Sequence, residues 1–359
     1  MSQDGRLLRM EYRRCGLHGP MLSALGLGCW QFGGGAYWGP CDQRDADAVV
    51  RRAVDLGINY VDAAEAYNQG RSEEALGRAL KGVPRDRLLV GTKVSPSNCY
   101  AATLPEHCEA SLRRLGLETI DVYMIHWPIH PHSIRHFTND EATIQNPPRA
   151  EEAFTALRRL RDAGKICYVG VSNFGCERLA EAVGLFPDVV VNQLPYNLLM
   201  RAMELQSLPQ CMELGLGVIS YMTLMQGVLT DRYANLAEIP PYQRRTRHFS
   251  AGRSELARHG GTGAEEETAA ALAEIRRIAR ACGLATAEVA TKWALAKVGI
   301  SCCLVGARRP ERLDDAVEAA ATPLPAGALE ELDRVTRPVL EALGPGFDYY
   351  ESAADDRTR

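Results

Sequence analysis

Eight short apolar runs recur along the chain, at 24–28, 59–62, 88–93, 120–126, 166–171, 189–193, 217–221 and 301–305. Each has the length and near-continuous hydrophobicity of a strand buried on both faces. Between them the pattern changes to helical spacing. In 45–56, Ala46, Val49, Val50, Ala53, Val54 and Leu56 fall on one side of a helix, with charged residues on the other. The same spacing returns at 72–80, 104–115, 152–163, 176–183, 204–214 and 309–319. Regular alternation of buried strand and amphipathic helix predicts an α/β fold, a (β/α)8 TIM barrel rather than an open sheet.

Four stretches lie outside that repeat. Residues 11–21 read as a hairpin ahead of the first barrel strand, placed to plug the bottom of the barrel. Residues 128–148 form an insertion after the fourth strand. Residues 223–263, rich in Arg, Gly and Pro, make a long connection after the seventh strand, of the kind that serves as a lid or binding segment. It leads into a helix at 265–281 whose first turn is acidic. The polar tail, 347–359, reads as partly mobile. Residues 1–359 are expected to form a single barrel domain with its core at about 10–350, and no second domain is visible.

Composition narrows the class. A chain of 359 residues buries enough apolar surface to need no cross-links. A formal charge of -4 gives no electrostatic reason for binding nucleic acid or an anionic membrane. Eleven irregularly spaced cysteines, an odd number, point to a reducing compartment. Cys302 and Cys303 lie within an apolar run, where thiols act as small hydrophobes. The first residues lack the apolar core of a signal peptide, and no run reaches the ~18 residues of a membrane span. A cytoplasmic location is the expectation.

Chemistry gathers at the ends of the predicted strands. Asp62 ends the second, Lys93 the third and His126 the fourth, and Tyr67 lies in the loop just beyond the second. Catalytic groups of this barrel come from C-terminal strand ends, so the four converge on one mouth. A tyrosine, with a pKa of about 10, donates a proton near neutrality more readily if an ammonium lowers that value. Lys93 supplies the charge, Asp62 holds the lysine, and His126 polarises a carbonyl. Ser172, Asn173 and Gln193, at the ends of strands five and six, offer the hydroxyl and amides to grip a carboxamide. Tyr221 ends strand seven with an aromatic face. Arg308, Arg309 and Arg312 surround the start of the last barrel helix, where an anion is favoured.

The sequence resembles the aldo-keto reductase superfamily from about residue 10 to 350. The resemblance rests on Ala24-Leu-Gly-Leu-Gly-Cys-Trp30, Gly57-Ile-Asn-Tyr-Val-Asp62 with Tyr67, Arg71-Ser-Glu-Glu-Ala-Leu-Gly77, Gly91-Thr-Lys93, His126-Trp-Pro128, Gly164-Lys-Ile, Val169-Gly-Val-Ser-Asn-Phe174, Asn192-Gln-Leu-Pro-Tyr-Asn197 and Gly306-Ala-Arg-Arg-Pro-Glu-Arg-Leu313. Their style is closer to the bacterial and potassium-channel-β-subunit-like branch than to the mammalian aldose reductases. The resemblance implies an oxidoreductase that reduces an aldehyde or ketone, including sugar or secondary-metabolite carbonyls, to an alcohol. It also implies NADPH/NADP+ in preference to NADH, and no metal.

By that resemblance Asp62, Tyr67, Lys93 and His126 fall on the catalytic tetrad. Cofactor contacts fall on Gly28, Trp30, Asp62, Ser172, Asn173, Gln193, Tyr221, Gly227, Gly306, Arg308, Arg309 and Arg312. Substrate contacts fall on Trp30, Tyr67, His126 and Trp127. Trp38 is a further substrate-facing candidate, and His130, His132 and Arg135 of the insertion are candidates to meet a hydroxylated or acidic substrate. Two departures stand out: Asp315-Ala316 where the family often has Glu-Asn against the adenine, and Tyr221-Met-Thr-Leu-Met-Gln-Gly227 where many relatives read Tyr-Ser-Pro-Leu-x-x-Gly.

Two other readings compete. His126, His130, His132 and His136 suggest a metal-dependent barrel hydrolase, but their spacing is not that of a helical metal pair and no acidic ligands accompany them. The second is a cofactor-binding sensor or subunit with slow turnover, acting through a protein partner. The expected partner of the first-choice reading is a small-molecule carbonyl or alcohol, with no nucleic acid and no membrane; the oligomeric state is left open.

Overall fold

The computed structural model describes residues 10–359. Two short antiparallel strands, β1 (Tyr12–Arg14) and β2 (Met21–Ser23), precede eight parallel ones. These are β3 (Leu25–Gly28), β4 (Tyr60–Asp62), β5 (Leu89–Val94), β6 (Ile120–Ile125), β7 (Ile166–Ser172), β8 (Val189–Pro195), β9 (Gly217–Tyr221) and β10 (Ile300–Gly306). Each pairs with the next, and β10 closes on β3 to complete the barrel. Every predicted barrel strand is present, displaced by no more than about two residues at either end.

Alternation along the strands builds two cores. In β6, Val122 and Met124 point into the barrel with Tyr60, Val191, Ile219, Cys302 and Leu304, whereas Tyr123 and Ile125 face the helices. Tyr60 has room inside only because residue 91 on the adjoining strand is glycine, where a Cβ would come within 2.0 Å of the phenol oxygen. Cys15 and Leu22 of the hairpin join this interior cluster, so the hairpin closes the N-terminal end of the barrel as the sequence suggests. All eleven cysteines are free.

Two long helices carry no clear signal in the sequence, besides the short turns Pro131–Ile134 and Glu141–Gln145 of the insertion. Thr286–Ala296 is buried on most sides, so its apolar residues show no stripe. Ala326–Leu343 packs against Glu265–Ala281 and carries Pro338 in its interior, which interrupts the helical signal.

The tail differs from expectation. Residues 347–349, 351, 357 and 358 are buried. Arg357 and Asp348 form an ion pair, and the main chain of 357–358 is tied to the loops after β6 and β7. A polar stretch looks solvated in sequence, but its charges here are matched to each other across a chain reversal.

The long connection is likewise anchored in its second half. Arg247 donates to the carbonyls of Leu343 and Gly346, at 2.6 and 2.5 Å, and His248 Nε2 lies 2.8 Å from the Leu199 carbonyl. Phe249 is buried beside them. Among the described residues no helix is long and apolar enough to cross a membrane.

Candidate active site

Parallel register sets the strand ends level: Gly28 lies opposite both Gly306 and Asp62, Asp62 opposite Gly91, and Ser172 opposite Gln193. The sequence-predicted groups on β4, β5 and β6 therefore reach the same end of the barrel. Lys93 is fully buried. Its Nζ donates to Asp62 Oδ1 at 2.5 Å and to the Ala63 carbonyl at 2.7 Å, and lies 3.4 Å from Tyr67 Oη. The other oxygen of Asp62 accepts from Gln193 Nε2 at 2.8 Å and from Tyr60 Oη at 3.3 Å. The His126 ring stands edge-on to that of Tyr67, with centroids 5.5 Å apart. The four residues of the expected set form one contiguous group.

Glu65, which no sequence motif marks, fixes the loop that carries Tyr67. Its carboxylate accepts from the Ser95 amide at 2.7 Å and Asn98 Nδ2 at 2.8 Å, and pairs with His107 Nδ1 at 2.7 Å. The loops after β4 and β5 are thus stapled together. Only its place two residues before Tyr67 hints at this in the sequence.

The electrostatics correct one expectation. Burial, reinforced by the Asp62 charge, pushes the Tyr67 phenol well above its ordinary range, the reverse of the predicted lowering by Lys93. Asp62, 2.5 Å from the ammonium that approaches the phenol at 3.4 Å, sets its own negative charge against that of Lys93 there. Burial also pulls Lys93 below the usual lysine range, against the opposing pull of Asp62. His126 is held well below its usual value by burial and then by the Lys93 and Arg357 charges, so its ring is neutral. The buried His126 Nδ1 has no partner among the described residues.

Beside this group runs a row of polar side chains on β7, β8 and β9. Asn173 Nδ2 donates to the His126 carbonyl at 3.1 Å and to Ser172 Oγ at 3.0 Å, and its Oδ1 accepts from Tyr221 Oη at 2.7 Å. Ser172 Oγ donates to the Gln193 carbonyl at 3.1 Å. Asn173, Met222, Met225 and Gln226 all have positive φ, a concentration of backbone strain around the mouth.

Across the rim, Tyr37 Oη donates to Gln226 Oε1 at 2.5 Å, and Arg245 lies over the rings of Tyr37 and Tyr350 at 4.9 and 5.3 Å. Gly227, with φ of 96°, completes the turn. Trp30 stacks on Tyr37 at 4.9 Å and sits 5.8 Å from Tyr67. Gln31 Nε2 ties the ends of β3 and β10 through the carbonyls of Gly28 and Ala307, at 3.0 and 2.9 Å.

The three arginines separate. Arg308 donates to the carbonyls of Trp38 and Pro40. Arg312 pairs with Asp315 at 3.1 Å, and Arg309 is exposed with no salt bridge among the described residues. Of the insertion residues expected near substrate, His130 Nε2 meets the Arg357 carbonyl at 3.0 Å, His132 faces Asp355 at 3.7 Å, and Arg135 is exposed; the neighbouring His136 pairs with Glu351 at 2.9 Å. These histidines dock the insertion onto the tail. Trp127 is covered by the Arg357 guanidinium.

The sequence pattern behind this geometry is matched by a family model described as the aldo/keto reductase family, over residues 24–337. The chain belongs to the aldo/keto reductase family. Its relatives include the aldo-keto reductase YhdN of Bacillus subtilis (strain 168), 28% identical over 94% of this chain and 97% of that protein. The NADH-specific methylglyoxal reductase of Escherichia coli (strain K12) is 34% identical over 58% of this chain and 66% of its own length. Among solved structures, an aldo/keto reductase from Klebsiella pneumoniae in complex with NADP and acetate superposes with a TM-score of 0.67 at 26% identity, covering 92% of this chain and 96% of that one.

The residues present fit a nicotinamide dinucleotide. Ser172, Asn173 and Gln193 supply amide and hydroxyl groups in a row beside Tyr67. At the rim, Trp38 Nε1 and Gln226 Nε2 are buried donors without partners among the described residues, suited to an oxygen-rich linker. Arg309 and Arg312 lie beyond them as exposed cations.

Proposed function

We propose that this aldo/keto reductase reduces an aldehyde or ketone to the alcohol with NADPH, Tyr67 giving the proton. The observation that carries this reading is the buried Lys93 ammonium, which joins Asp62 to the Tyr67 oxygen at the barrel mouth. Bound reduced nicotinamide supplies the hydride. Tyr67 protonates the carbonyl oxygen as charge develops there, and its high resting pKa keeps it protonated until that moment. Lys93 then stabilises the phenolate, and Asp62 keeps Lys93 charged and aimed. Neutral His126 offers the oxygen a hydrogen bond without adding a charge that would compete with Lys93. Ser172, Asn173 and Gln193 hold the carboxamide, and Tyr221 and Trp30 flank the ring.

The test is a panel of aldehydes, ketones and polyols read by absorbance of the reduced nicotinamide in both directions. Absence of cofactor-linked turnover across the panel would remove the reductase reading.

For the cofactor, Arg309 and Arg312 are the proposed readers of the 2′-phosphate, because Arg308 is spent on main-chain carbonyls. Losing one charge-assisted contact weakens binding roughly ten-fold or more. Fluorescence titration of Arg309→Ala and Arg312→Ala should show that loss for NADPH in at least one variant, with NADH nearly unchanged. Equal losses for both cofactors would show that neither arginine senses the phosphate.

The rim segment is expected to respond to cofactor in part only. Residues 224–245 touch the mouth through Gln226 and Arg245, whereas 246–249 are already fixed by Arg247 and His248. Hydrogen exchange on saturation with NADPH should show new protection in 224–245 and little change in 246–263. Unchanged exchange throughout would leave this segment without a role in closing the site.

A further inference from the structure

Arg357 is buried in an arrangement that leaves one of its edges uncommitted. The guanidinium lies over the Trp127 ring, 3.9 Å from its centroid. Its Nε and Nη2 donate to Asp348 Oδ2 and Oδ1, both at 2.7 Å, and its main-chain N–H donates to Oδ2 at 3.1 Å. Nη1 donates to no protein group among the described residues. The backbone is pinned on both sides: the Arg357 carbonyl meets His130 Nε2 at 3.0 Å, and the Thr358 carbonyl accepts the Gly175 amide at 2.8 Å. The plane, height and direction of the guanidinium are therefore fixed by four separate contacts.

Stability alone is a weak reason for such a group. Burying an ion pair costs desolvation that its attraction seldom exceeds, and apolar replacements of similar volume often do as well. This guanidinium is held rigid on an aromatic face, next in the chain to His126, with Asp348 neutralising one edge only. Its charge is felt at His126 and Tyr221, on two sides of the candidate site.

We propose that the open Nη1 edge of Arg357, seated on Trp127, binds a carboxylate carried by the carbonyl substrate and makes the enzyme selective for oxo-acids over neutral carbonyl compounds. A guanidinium suits this role better than an ammonium because its planar fork matches a carboxylate and is ordered in advance. The proposal rests on the reductase reading above.

The experiment compares 4-oxobutanoate with its methyl ester, which differ in charge and little in length, as substrates with NADPH. The wild type should favour the acid. Arg357→Met keeps the stem over Trp127 and removes the charge, and the acid-to-ester ratio of kcat/KM should fall roughly ten-fold or more, the loss expected for one charge-assisted contact. The double variant Asp348→Asn/Arg357→Met removes both charges, leaving no carboxylate buried alone, and should show the same fall. Equal losses for acid and ester, or an unchanged ratio, would make the pair a structural staple and overturn the proposal. Titration of tryptophan fluorescence with succinate in the presence of NADP+ needs no turnover, so it decides the point even if the reductase reading fails. Saturable binding that the double variant weakens supports the seat, and no saturable binding in the wild type removes it.

Discussion

Tyr67→Phe should retain cofactor affinity while turnover falls by roughly 10²–10⁴-fold, the range for loss of a positioned general acid. The ring keeps its contacts with Trp30 and His126, whose centroids lie 5.8 and 5.5 Å away, so the walls of the site survive. What disappears is the one hydroxyl that Lys93 approaches at 3.4 Å. Stopped-flow mixing with a saturating aldehyde separates hydride transfer from product release and shows which step slows. Turnover within a few-fold of wild type would mean that the proton comes from elsewhere, with His126 the next candidate by position.

A loss of stability on the order of 3–5 kcal/mol, as well as of activity, is expected for Lys93→Met, the range for stranding one half of a buried ion pair. Asp62 is 2% exposed, and without the ammonium Gln193 and Tyr60 are the side-chain donors left to it among the described residues. The change should appear as a lower midpoint of urea unfolding with little change in slope, because the folded core is otherwise intact. The paired variant Asp62→Asn/Lys93→Met removes both charges and should recover much of the stability with none of the activity. If Lys93→Met unfolds at the wild-type midpoint, the two neutral donors are sufficient and the pair is held for chemistry alone.

These two outcomes bear on what the sequence reveals. The strands were legible because parallel strands covered on both faces carry almost unbroken apolar runs, and the site followed because Asp62, Lys93 and His126 terminate three of them. Helix Thr286–Ala296 was hidden by the same physics: burial on most sides erases the stripe by which a helix is recognised. Direction of charge effects was harder to read. That Lys93 sits by Tyr67 can be inferred, but that the Asp62 charge opposes it at the phenol depends on distances no sequence shows.

The tail is hard to read in sequence for a related reason. Asp348 and Arg357 are nine residues apart and look solvated until the chain turns back and sets one against the other. Glu65, Gln31 and Gln226 act through contacts with distant loops, for which a linear pattern carries no signal.

The closure of β10 on β3 has a consequence for biosynthesis. Arg13 of the hairpin donates to the carbonyl of Ile300, 287 residues later, at 3.2 Å, and the Leu25–Gly28 edge is completed by Cys303–Gly306. A ribosome adding about 5–20 residues per second takes roughly 15–60 s to cover that interval. Throughout it, the nascent chain holds an unpaired edge at β3 and a plug with half of its socket missing. The seam of the barrel is thus also the period of greatest exposure to chaperones and to neighbouring nascent chains, and it ends only when the last parallel strand has cleared the exit tunnel.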